Sequence, residues 1–593
     1  MAKSIRLTDY KKLSILYTKK HQDRRKAQSA LRLTCALDTE TDQNGNILLI
    51  ADSSGRFLDK ITPNLLIKWL FSKKYQGTWN FFYNLTFDAE VILKTLGSEI
   101  LSVYSKTRKL EFVFEGYKIQ YIPGKKLAIR KGHHSSVFFD IAQYYQSSLV
   151  NAYQNNICKL ESSYLEMKNK RKSFSKEYYR VNRKDVRKYC IQDCKLTKEL
   201  ADHWISLFQE SFSFYPARWI SSGYLAEKVL INHDIHIPKF DAIPYTVQDI
   251  AWRSYYGGRF EILKRGFIGE GHLYDINSAY PYALSIIPDL SKGKWIKRKT
   301  IHPNSALGFF KIQCDIPDCK YVPPFPFRNN GKIIFPTGKF QTYVTQAELQ
   351  ACKSSTLYRI LEGYQFIPSS NIYPYRNFIS NLYKKRIELK NQNNPLQLPL
   401  KVILNSIYGK TAQRVGNKIG NLFCPVIAST ITGITRAMLY EFVSRHKIEQ
   451  NVVSFATDSV ISTKKINVDS EKLGGFKLEK SAHDVYVLQN GIYRFNDSWK
   501  KRGIGKLGNK TIEHLDTIEK DGKLFQVMKV LRTNRLRSSI LSGNVSYVGR
   551  FQTIERRVNL NADDKRIWFE KLSDINDGKI IHSLPVSLNY FKK

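Results

Sequence analysis

Short apolar runs separated by turn signals set the rhythm of this chain. Leu31 to Leu37 and Ile47 to Ile50 flank a turn built on Asn44-Gly45, so residues 31–51 read as a β-hairpin. Trp79 to Tyr83 reads as another strand, and a helical pattern begins after it at Asp88. Arg183 to Phe208 reads as a long helix, in which Tyr189 and Asp193 share one face. A sheet with flanking helices over residues 1–210 is the first unit this pattern predicts. A linker rich in aromatic and small residues follows, ending in Tyr255-Tyr256-Gly257-Gly258-Arg259. Its paired glycines permit close backbone approach to a ligand, or simply a turn.

Leu273-Tyr274-Asp275 ends a strand, and Pro281 suits the first turn of the helix after it. Residues 282–370 are turn-rich, with Pro323-Pro324-Phe325-Pro326, and read as an inserted subdomain. Pro374 to Asn391 is helical, Asn391 to Pro395 breaks the pattern, and Leu398 to Tyr408 is helical again. That is an αα-hairpin with basic residues on both arms. Residues 421–446 give another helix, and Val452 to Ser462 reads as strand, turn and strand with Asp458 at or near the turn.

The length of 593 residues suggests about four domain-sized units. Charge changes the picture more. Lys and Arg total 94 against 52 Asp and Glu, a net charge of +42, which favours a polyanionic partner, DNA or RNA first. An anionic membrane is disfavoured, since no basic amphipathic helix of the interfacial kind is found and no apolar run is long enough to span a bilayer. The N-terminus lacks the apolar core of a secretory signal, and Lys11 to Arg25, with Asp23 inside it, reads as a basic arm. Eight Cys without a dense pattern fit a reducing compartment, the cytoplasm of a host cell, with an organelle left open. Cys314 and Cys319 have no second pair nearby and read as packed thiols rather than half a zinc site.

In so basic a chain, six acids at the ends of apolar segments stand out. They are Asp38 and Glu40 in Leu37-Asp38-Thr39-Glu40, Asp88 in Asn84-Leu85-Thr86-Phe87-Asp88, Asp193 in Tyr189-Cys190-Ile191-Gln192-Asp193, Asp275 in Asp275-Ile276-Asn277-Ser278-Ala279-Tyr280-Pro281, and Asp458 in Ala456-Thr457-Asp458-Ser459. Bound divalent metal is what offsets the cost of burying such groups. Residues i and i+2 of a strand share a face, so Asp38 and Glu40 converge. Asp88 and Asp193 complete a cage for two ions, which roughly 4 Å apart generate hydroxide and stabilise the leaving oxygen in phosphodiester cleavage. Tyr189 is placed to orient the attacking water.

Asp275 and Asp458, on adjacent strands, can hold two Mg²⁺ around a nucleoside triphosphate, with the Ile276 carbonyl as a further oxygen ligand. Lys401, with Arg386 or Lys390 opposite, can hold the phosphates. Tyr280 and Tyr408 can pack on the sugar and base. For any one Tyr among 35 a core role is the default. Their positions, beside an acid and in a Lys-x-x-x-Asn-Ser-x-Tyr-Gly run, reverse it.

Together these residues resemble a family B DNA polymerase with a 3′→5′ proofreading exonuclease. The three early motifs resemble its Exo I, Exo II and Exo III, Asp275 to Pro281 its motif A, Lys401 to Gly409 its motif B, and Ala456 to Ser459 its motif C. The short fingers and the Tyr-x-Gly-Gly linker resemble the protein-primed subgroup of viruses and linear plasmids. The resemblance implies an α/β and α+β multidomain fold: an RNase H-like exonuclease domain over 1–210, then a right-hand polymerase. Its parts would be a linker and first piece of palm over 211–281, a terminal-protein-region-like insertion over 282–370, fingers over 371–410, palm over 411–485, and thumb with the C-terminal region over 486–593. The resemblance also implies nucleotide contacts at Asn405 as well as Tyr280, Arg386, Lys390, Lys401 and Tyr408, with Tyr280 excluding a ribose 2′-hydroxyl. DNA contacts would come from Asn84, Phe87, Ser148, Leu149, Tyr255, Gly257, Gly258 and Tyr493.

Three departures matter. Motif C usually opens with Asp, and here Ala456 stands there while the metal-bearing Asp458 is kept. Only the 14 residues 411–424 separate Lys410 from Pro425, short for the hairpin that encircles the template, which leaves strand displacement and processivity open. The Lys-x-Tyr primer contact reads Gly491-Ile492-Tyr493. Lys500, Lys501, Arg502 and Lys506 either grip the primer–template backbone instead or form a solvated loop. The expectation is a monomeric Mg²⁺-dependent enzyme, two ions per site with Mn²⁺ as substitute. It would act on primer–template and single-stranded DNA with dNTPs, and a terminal protein would supply the priming hydroxyl. A polymerase-inactive exonuclease, a DNA-binding scaffold of the same fold, and ordinary or absent priming stay open as alternatives.

Overall fold

The first unit grows from strands whose two faces are both apolar. The computed structural model describes residues 30–97, 110–171, 174–415, 418–502, 516–520, 523–559, 564–569 and 579–589. The basic arm Lys11–Arg25 and Lys506 lie outside them. Strands β1 (Thr34–Thr41), β2 (Ile47–Asp52), β3 (Phe57–Leu58), β4 (Trp79–Phe82), β5 (Glu111–Phe114), β6 (Tyr117–Ile122), β7 (Lys126–Lys131) and β8 (His134–Asp140) form one sheet in the order β3-β2-β1-β4-β8-β7-β6-β5. Its middle strands β1, β4 and β8 run parallel and bury Ala36, Leu37, Phe81, Phe82 and Phe138, as strands covered on both faces must. The 31–51 hairpin is as expected from its Asn44-Gly45 turn, with Asp38 opposite Ala51. Helix α1 (Leu85–Thr95) and the 30-residue α2 (Arg183–Phe212) flank the sheet.

The central sheet is built around one long strand. Strand β10 (Lys264–Ile276) follows β9 (Arg259–Ile262) and leads into helix α3 (Ala279–Ser285). The chain then leaves this sheet and returns as β15 (Val452–Thr457), β16 (Ser459–Ser462), β17 (Phe476–Gln489), β18 (Ile492–Phe495) and β19 (Ser498–Lys501). The order is β19-β18-β17-β10-β16-β15-β9.

Residues 282–370 are a sheet rather than the turn-rich segment expected. Strands β11 (Gly293–Lys297), β12 (Leu307–Ile316), β13 (Thr337–Thr345) and β14 (Tyr358–Pro368) pair in the order β11-β14-β12-β13, and helix α4 (Gln346–Cys352) caps them. Phe310, Ile312, Cys314 and Ile316 alternate inward along β12. Cys314 is buried there and Cys319 is exposed, so the thiols are not paired for a metal. Helices α5 (Arg376–Asn391) and α6 (Gln397–Thr411) form the expected hairpin, and α7 (Pro425–Arg445) runs behind them. Between α6 and α7, Arg414–Val415 pairs with Lys418–Ile419.

The C-terminal region is not one unit over 486–593. Its first strands, β18 and β19, extend the central sheet. A separate ribbon follows, β20 (Asp516–Lys520), β21 (Lys523–Thr533) and β22 (Phe551–Asn559), interrupted by helix α8 (Leu536–Leu541). The chain then returns as β23 (Arg566–Trp568), β24 (Ile580–Pro585), which pairs with β10, and β25 (Ser587–Asn589), which joins the 282–370 sheet beside β13. Polar, mixed segments such as these carry no periodicity that tells a returning strand from a free one. Among the described residues no helix is long and apolar enough to cross a membrane.

A buried charge triad stitches that return. Glu261 accepts from Arg259 at 2.8 Å and from Arg566 at 2.9 Å, all three side chains essentially without solvent access. Arg259 also donates to the Pro323 carbonyl and lies over the Phe335 and Phe455 rings; Arg566 also donates to Ser583 and to the Tyr321 carbonyl. Arg566→Ala leaves Glu261 half compensated in the dark of the core, and the expected loss is about 3–5 kcal/mol. A urea titration followed by fluorescence checks it; a midpoint unchanged from the parent would refute the role given to the triad.

Candidate active site

The early acids meet at the centre of the first sheet. β1 carries Asp38 and Glu40, α1 carries Asp88 in its first turn, and α2 carries Asp193 and Tyr189. One carboxylate oxygen each from Asp38 and Glu40, and the Cys190 Sγ, lie within 4.8 Å of one another. Asp88 accepts from the Thr39 N–H at 3.1 Å and the Thr39 hydroxyl at 2.7 Å, which ties α1 to β1. Asp193 accepts from the hydroxyls of Tyr164 at 2.6 Å and Tyr189 at 3.1 Å, and pairs with Lys168.

Burial pushes the Asp38 carboxyl well above the usual carboxylate range, and the neighbouring charges of Asp88, Asp193 and Glu40 push the same way. Glu40 rises to about 8, chiefly by burial and then by Asp193. Asp88 rises to about 7 by burial, against the pull of its Thr39 bonds. Burial likewise keeps the Cys190 thiol protonated, donating to the Asp38 carbonyl at 3.6 Å. The charged donors here are therefore all carboxylate oxygens, a set that fits a hard divalent cation such as Mg²⁺ or Mn²⁺.

Sequence reasoning missed four residues of this cluster, Tyr164 on Asp193 being the first. Lys168 stands on the helix Ser162–Lys170, 25 residues before the Asp193 it pairs with. Asp140, at the end of β8, accepts from the backbone N–H groups of Asn84 at 3.1 Å and Ala142 at 3.0 Å, and so holds the turn that starts α1. Asn84 is left-handed there (φ 66°), a conformation Asn tolerates. Cys190 lies within the Tyr189–Asp193 segment, and only the fold brings its thiol beside Asp38 and Glu40. Of the expected DNA contacts, Ser148 is exposed and caps the helix Leu149–Asn156, whereas Leu149 is buried among Tyr153, Tyr189 and Leu196 and does not present its side chain to a ligand. Asn84 is exposed and Phe87 is half-buried.

The later acids meet across one hydrogen bond. Asp275 pairs in register with Ser459 at the end of β10, and the Ile276 N–H donates to the Asp458 carbonyl at 3.0 Å. The turn that presents Asp458 holds Thr457 at φ 71°, left-handed backbone that a β-branched residue rarely adopts. Gly258 lies directly under it: a Cβ there would come within 2.8 Å of the Thr457 methyl. The close approach foreseen for the paired glycines is thus to Thr457. Gly257, at φ 77°, turns the chain and offers its carbonyl to Arg436 at 2.5 Å. Asp275 is pushed up to about 7, chiefly by burial and then by Asp458 and Glu479, with Lys500 pulling the other way. Burial also raises Asp458.

Tyr280 stands beside this pair and acts electrostatically with Asp458. Tyr280 packs on Tyr408 with ring centroids 4.3 Å apart, and the Tyr408 hydroxyl is 2.6 Å from that of Tyr255. Lys401, Asn405 and Tyr408 share one face of α6, the first two exposed. Across the hairpin Lys390 is exposed, and Arg386 is half-buried with its Nε lacking a hydrogen-bond partner among the described residues. Tyr493 and Lys500 are cross-strand partners, and both act electrostatically with Asp275. Lys501 ends β19, and Arg502 stacks on Phe260 at 4.3 Å.

The Asp275 value fixes a pH dependence. In the unfolded chain its pKa is ~3.9. As pH rises from about 4 to 7 the unfolded chain ionises this acid and the native state, with its value of about 7, does not, so metal-free native protein loses stability across that window and the loss is constant above it. Asp275→Asn removes the effect. The parent's unfolding free energy minus the variant's, measured in urea with chelator at about pH 5, 6, 7 and 8, is expected to fall and then level. A flat difference would contradict the burial described.

Comparisons with known proteins agree with this geometry. The family model for DNA polymerase type B, organellar and viral, matches residues 73–422, and that for DNA polymerase family B matches residues 375–479. A DNA polymerase of Acidianus bottle-shaped virus (isolate Italy/Pozzuoli) is 28% identical over 457 residues, 69% of this chain and 66% of that protein. A probable DNA polymerase of Neurospora intermedia is 23% identical over 373 residues, 52% of this chain and 37% of that protein. The chain thus spans just under two thirds of the viral relative and a smaller part of the fungal one. Among solved structures, Phi29 DNA polymerase complexed with primer-template DNA and incoming nucleotide substrates has the same fold, with a TM-score of 0.64 at 15% identity, covering 90% of this chain and 100% of that one.

Proposed function

The chain belongs to the DNA polymerases of type B, organellar and viral, and from that membership we propose that it synthesises DNA on a DNA template at one carboxylate cluster and trims 3′ ends at the other. The observation that carries the reading is the bond from the Ile276 N–H to the Asp458 carbonyl, which sets Asp275 and Asp458 side by side near a cationic helical hairpin. Asp275, Asp458 and the Ile276 carbonyl would hold divalent ions at the synthesis site, and Asp38, Glu40, Asp88 and Asp193 at the trimming site. Bound there, Mg²⁺ or Mn²⁺ supplies the charge that acidifies an attacking hydroxyl or water and neutralises the departing oxygen.

The chain's own side chains do the rest. Lys401 with Arg386 or Lys390 attracts the triphosphate, and Asn405 shares their side of the cleft. Tyr408, held by Tyr255, backs Tyr280, so the wall beside the sugar is stiff and its bulk rejects a ribose 2′-hydroxyl. Tyr493 and Lys500 meet the primer end beside Asp275. At the trimming site Lys168 offsets the Asp193 charge, and Tyr189 orients the water. The sheet over β11–β14 is where we place a priming protein. Incubation with a labelled dNTP and candidate partners tests that point, a covalently labelled partner being the result expected.

Two variants separate the activities. Asp458→Asn is expected to lower primer extension with Mg²⁺ by a factor on the order of 10² or more and leave 3′ trimming intact. Asp38→Ala with Glu40→Ala is expected to do the reverse. One incubation with end-labelled primer–template reads both; extension by Asp458→Asn at the parental rate would end the metal assignment. Backbone contacts dominate affinity in this reading. Binding to primer–template is therefore expected to fall by on the order of 10³ between about 50 and 200 mM salt in an anisotropy titration.

A further inference from the structure

Of the four acids at the first cluster, two are already engaged. Asp88 is bonded to Thr39, and Asp193 to Tyr164, Tyr189 and Lys168. Asp38 and Glu40 accept no hydrogen bond among the described residues, although Glu40 is only 6% exposed. What faces them is sulfur. The Cys190 Sγ lies within 4.8 Å of one carboxylate oxygen of each, and those two oxygens lie within the same distance of one another.

Helix geometry puts the thiol there. Cys190 and Asp193 are three apart on α2, so they share the side that packs on β1. One turn further on, the Cys194 thiol donates to the Ala51 carbonyl at 3.3 Å, which fixes this side of the helix over the β1–β2 hairpin. Cys190 itself is fully buried, and its thiol reaches the Asp38 carbonyl only at 3.6 Å. Two free carboxylates and a sulfur thus converge on one point, held by a strand and a helix that are both pinned.

We propose that Asp38, Glu40 and Cys190 form a zinc site whose occupation switches 3′ trimming off. The effect on trimming rests on the nuclease reading of this cluster; the zinc site does not. Mg²⁺ and Mn²⁺ take oxygen ligands and leave the thiol aside, whereas Zn²⁺ takes thiolate and carboxylate together. Zinc bonds of about 2.0–2.3 Å need a modest inward movement of ligand atoms already this close. A Zn–S bond forms, and the thiol proton passes to solvent. Two-ion cleavage needs the acids spread over ions roughly 4 Å apart. A single tetrahedral ion that draws Asp38 and Glu40 onto Cys190 leaves a second ion only Asp88 and Asp193, both already bonded. Asp275 and Asp458 are joined by no Cys or His in such a group among the described residues, so the second cluster lacks the same trap.

Cobalt reads the sulfur directly. Thiolate-bound Co²⁺ absorbs in the near ultraviolet by sulfur-to-metal charge transfer, and oxygen-bound Co²⁺ does not. The full-length protein, stripped of metal, is titrated with Co²⁺. The band is expected in the parent, is bleached by Zn²⁺, and is absent from Cys190→Ser and Cys190→Ala, whose fold is checked by circular dichroism. No band in the parent overturns the site, and so does a band that persists in the variants. Zinc-edge X-ray absorption of the parent counts ligands without any variant: one sulfur among oxygens is expected, and a shell with no sulfur overturns the site. In Mg²⁺ buffer, added Zn²⁺ is expected to stop trimming by the parent. The variants are expected to need roughly 10-fold more zinc, or beyond, for the same fractional loss, each judged against its own rate without zinc. Equal zinc sensitivity overturns the switch. A Cys190-dependent band in a protein that trims nothing with Mg²⁺ keeps the zinc site and removes the nuclease reading; trimming with Mg²⁺ but no band does the opposite.

Discussion

Asp275 reaches Asp458 because β10 is held in one register. The strand is gripped by β16 and β17 on its two sides and by β24 near its start, so its end cannot slide. A slip of one residue would turn Asp275 to the opposite face and carry the acid away from its partner. The two halves of the central sheet come from segments separated by the 282–370 sheet and three helices. Of the C-terminal strands, β24 pairs with β10 itself, β23 reaches β9 through the Glu261 triad, and β25 ties in the 282–370 sheet.

That rigidity is needed because the sites are electrostatically adverse when empty. In each, burial and like charge push the same way, and the native state holds carboxyls that would rather be protonated. A flexible frame would relax by letting the acids swing into water. Here they are pinned by neighbours that do other work: Thr39 on Asp88, Tyr164 and Tyr189 on Asp193, the β10–β16 ladder on Asp275. In the proposed reading the stability forgone locally is what a divalent ion would restore on binding, so the preference for the ion would reside in backbone geometry as well as in the ligands.

What the sequence made legible was local. Asp38 and Glu40 converge because a strand repeats every two residues, Tyr189 and Asp193 because a helix returns after four, and the α5–α6 hairpin because Asn391 to Pro395 interrupts it. What it hid was long-range. Lys168 reaches Asp193 from another helix, Asp140 acts on a turn more than 50 residues earlier, and Arg566 finds Glu261 across the molecule; no spacing encodes such meetings. Leu149 shows the opposite failure: a residue carried over as a contact is held inward by the apolar side of its own helix, and the exposed member of the pair is its cap, Ser148.

Ala456 is where motif resemblance and structure part most usefully. The turn that offers Asp458 is shaped by main chain: the Ala456 carbonyl accepts the Asp458 N–H at 2.9 Å and the Ser459 hydroxyl at 3.2 Å. Gly258 supports the turn from below, and the left-handed Thr457, at a cost of roughly 1–3 kcal/mol, completes it. None of these supports uses the side chain at position 456. An acid there would have added a third negative group to a pair that already drives the Asp275 carboxyl up. Alanine removes that repulsion and leaves the presentation of Asp458 untouched, so the loss of the first acid is not by itself a loss of the site.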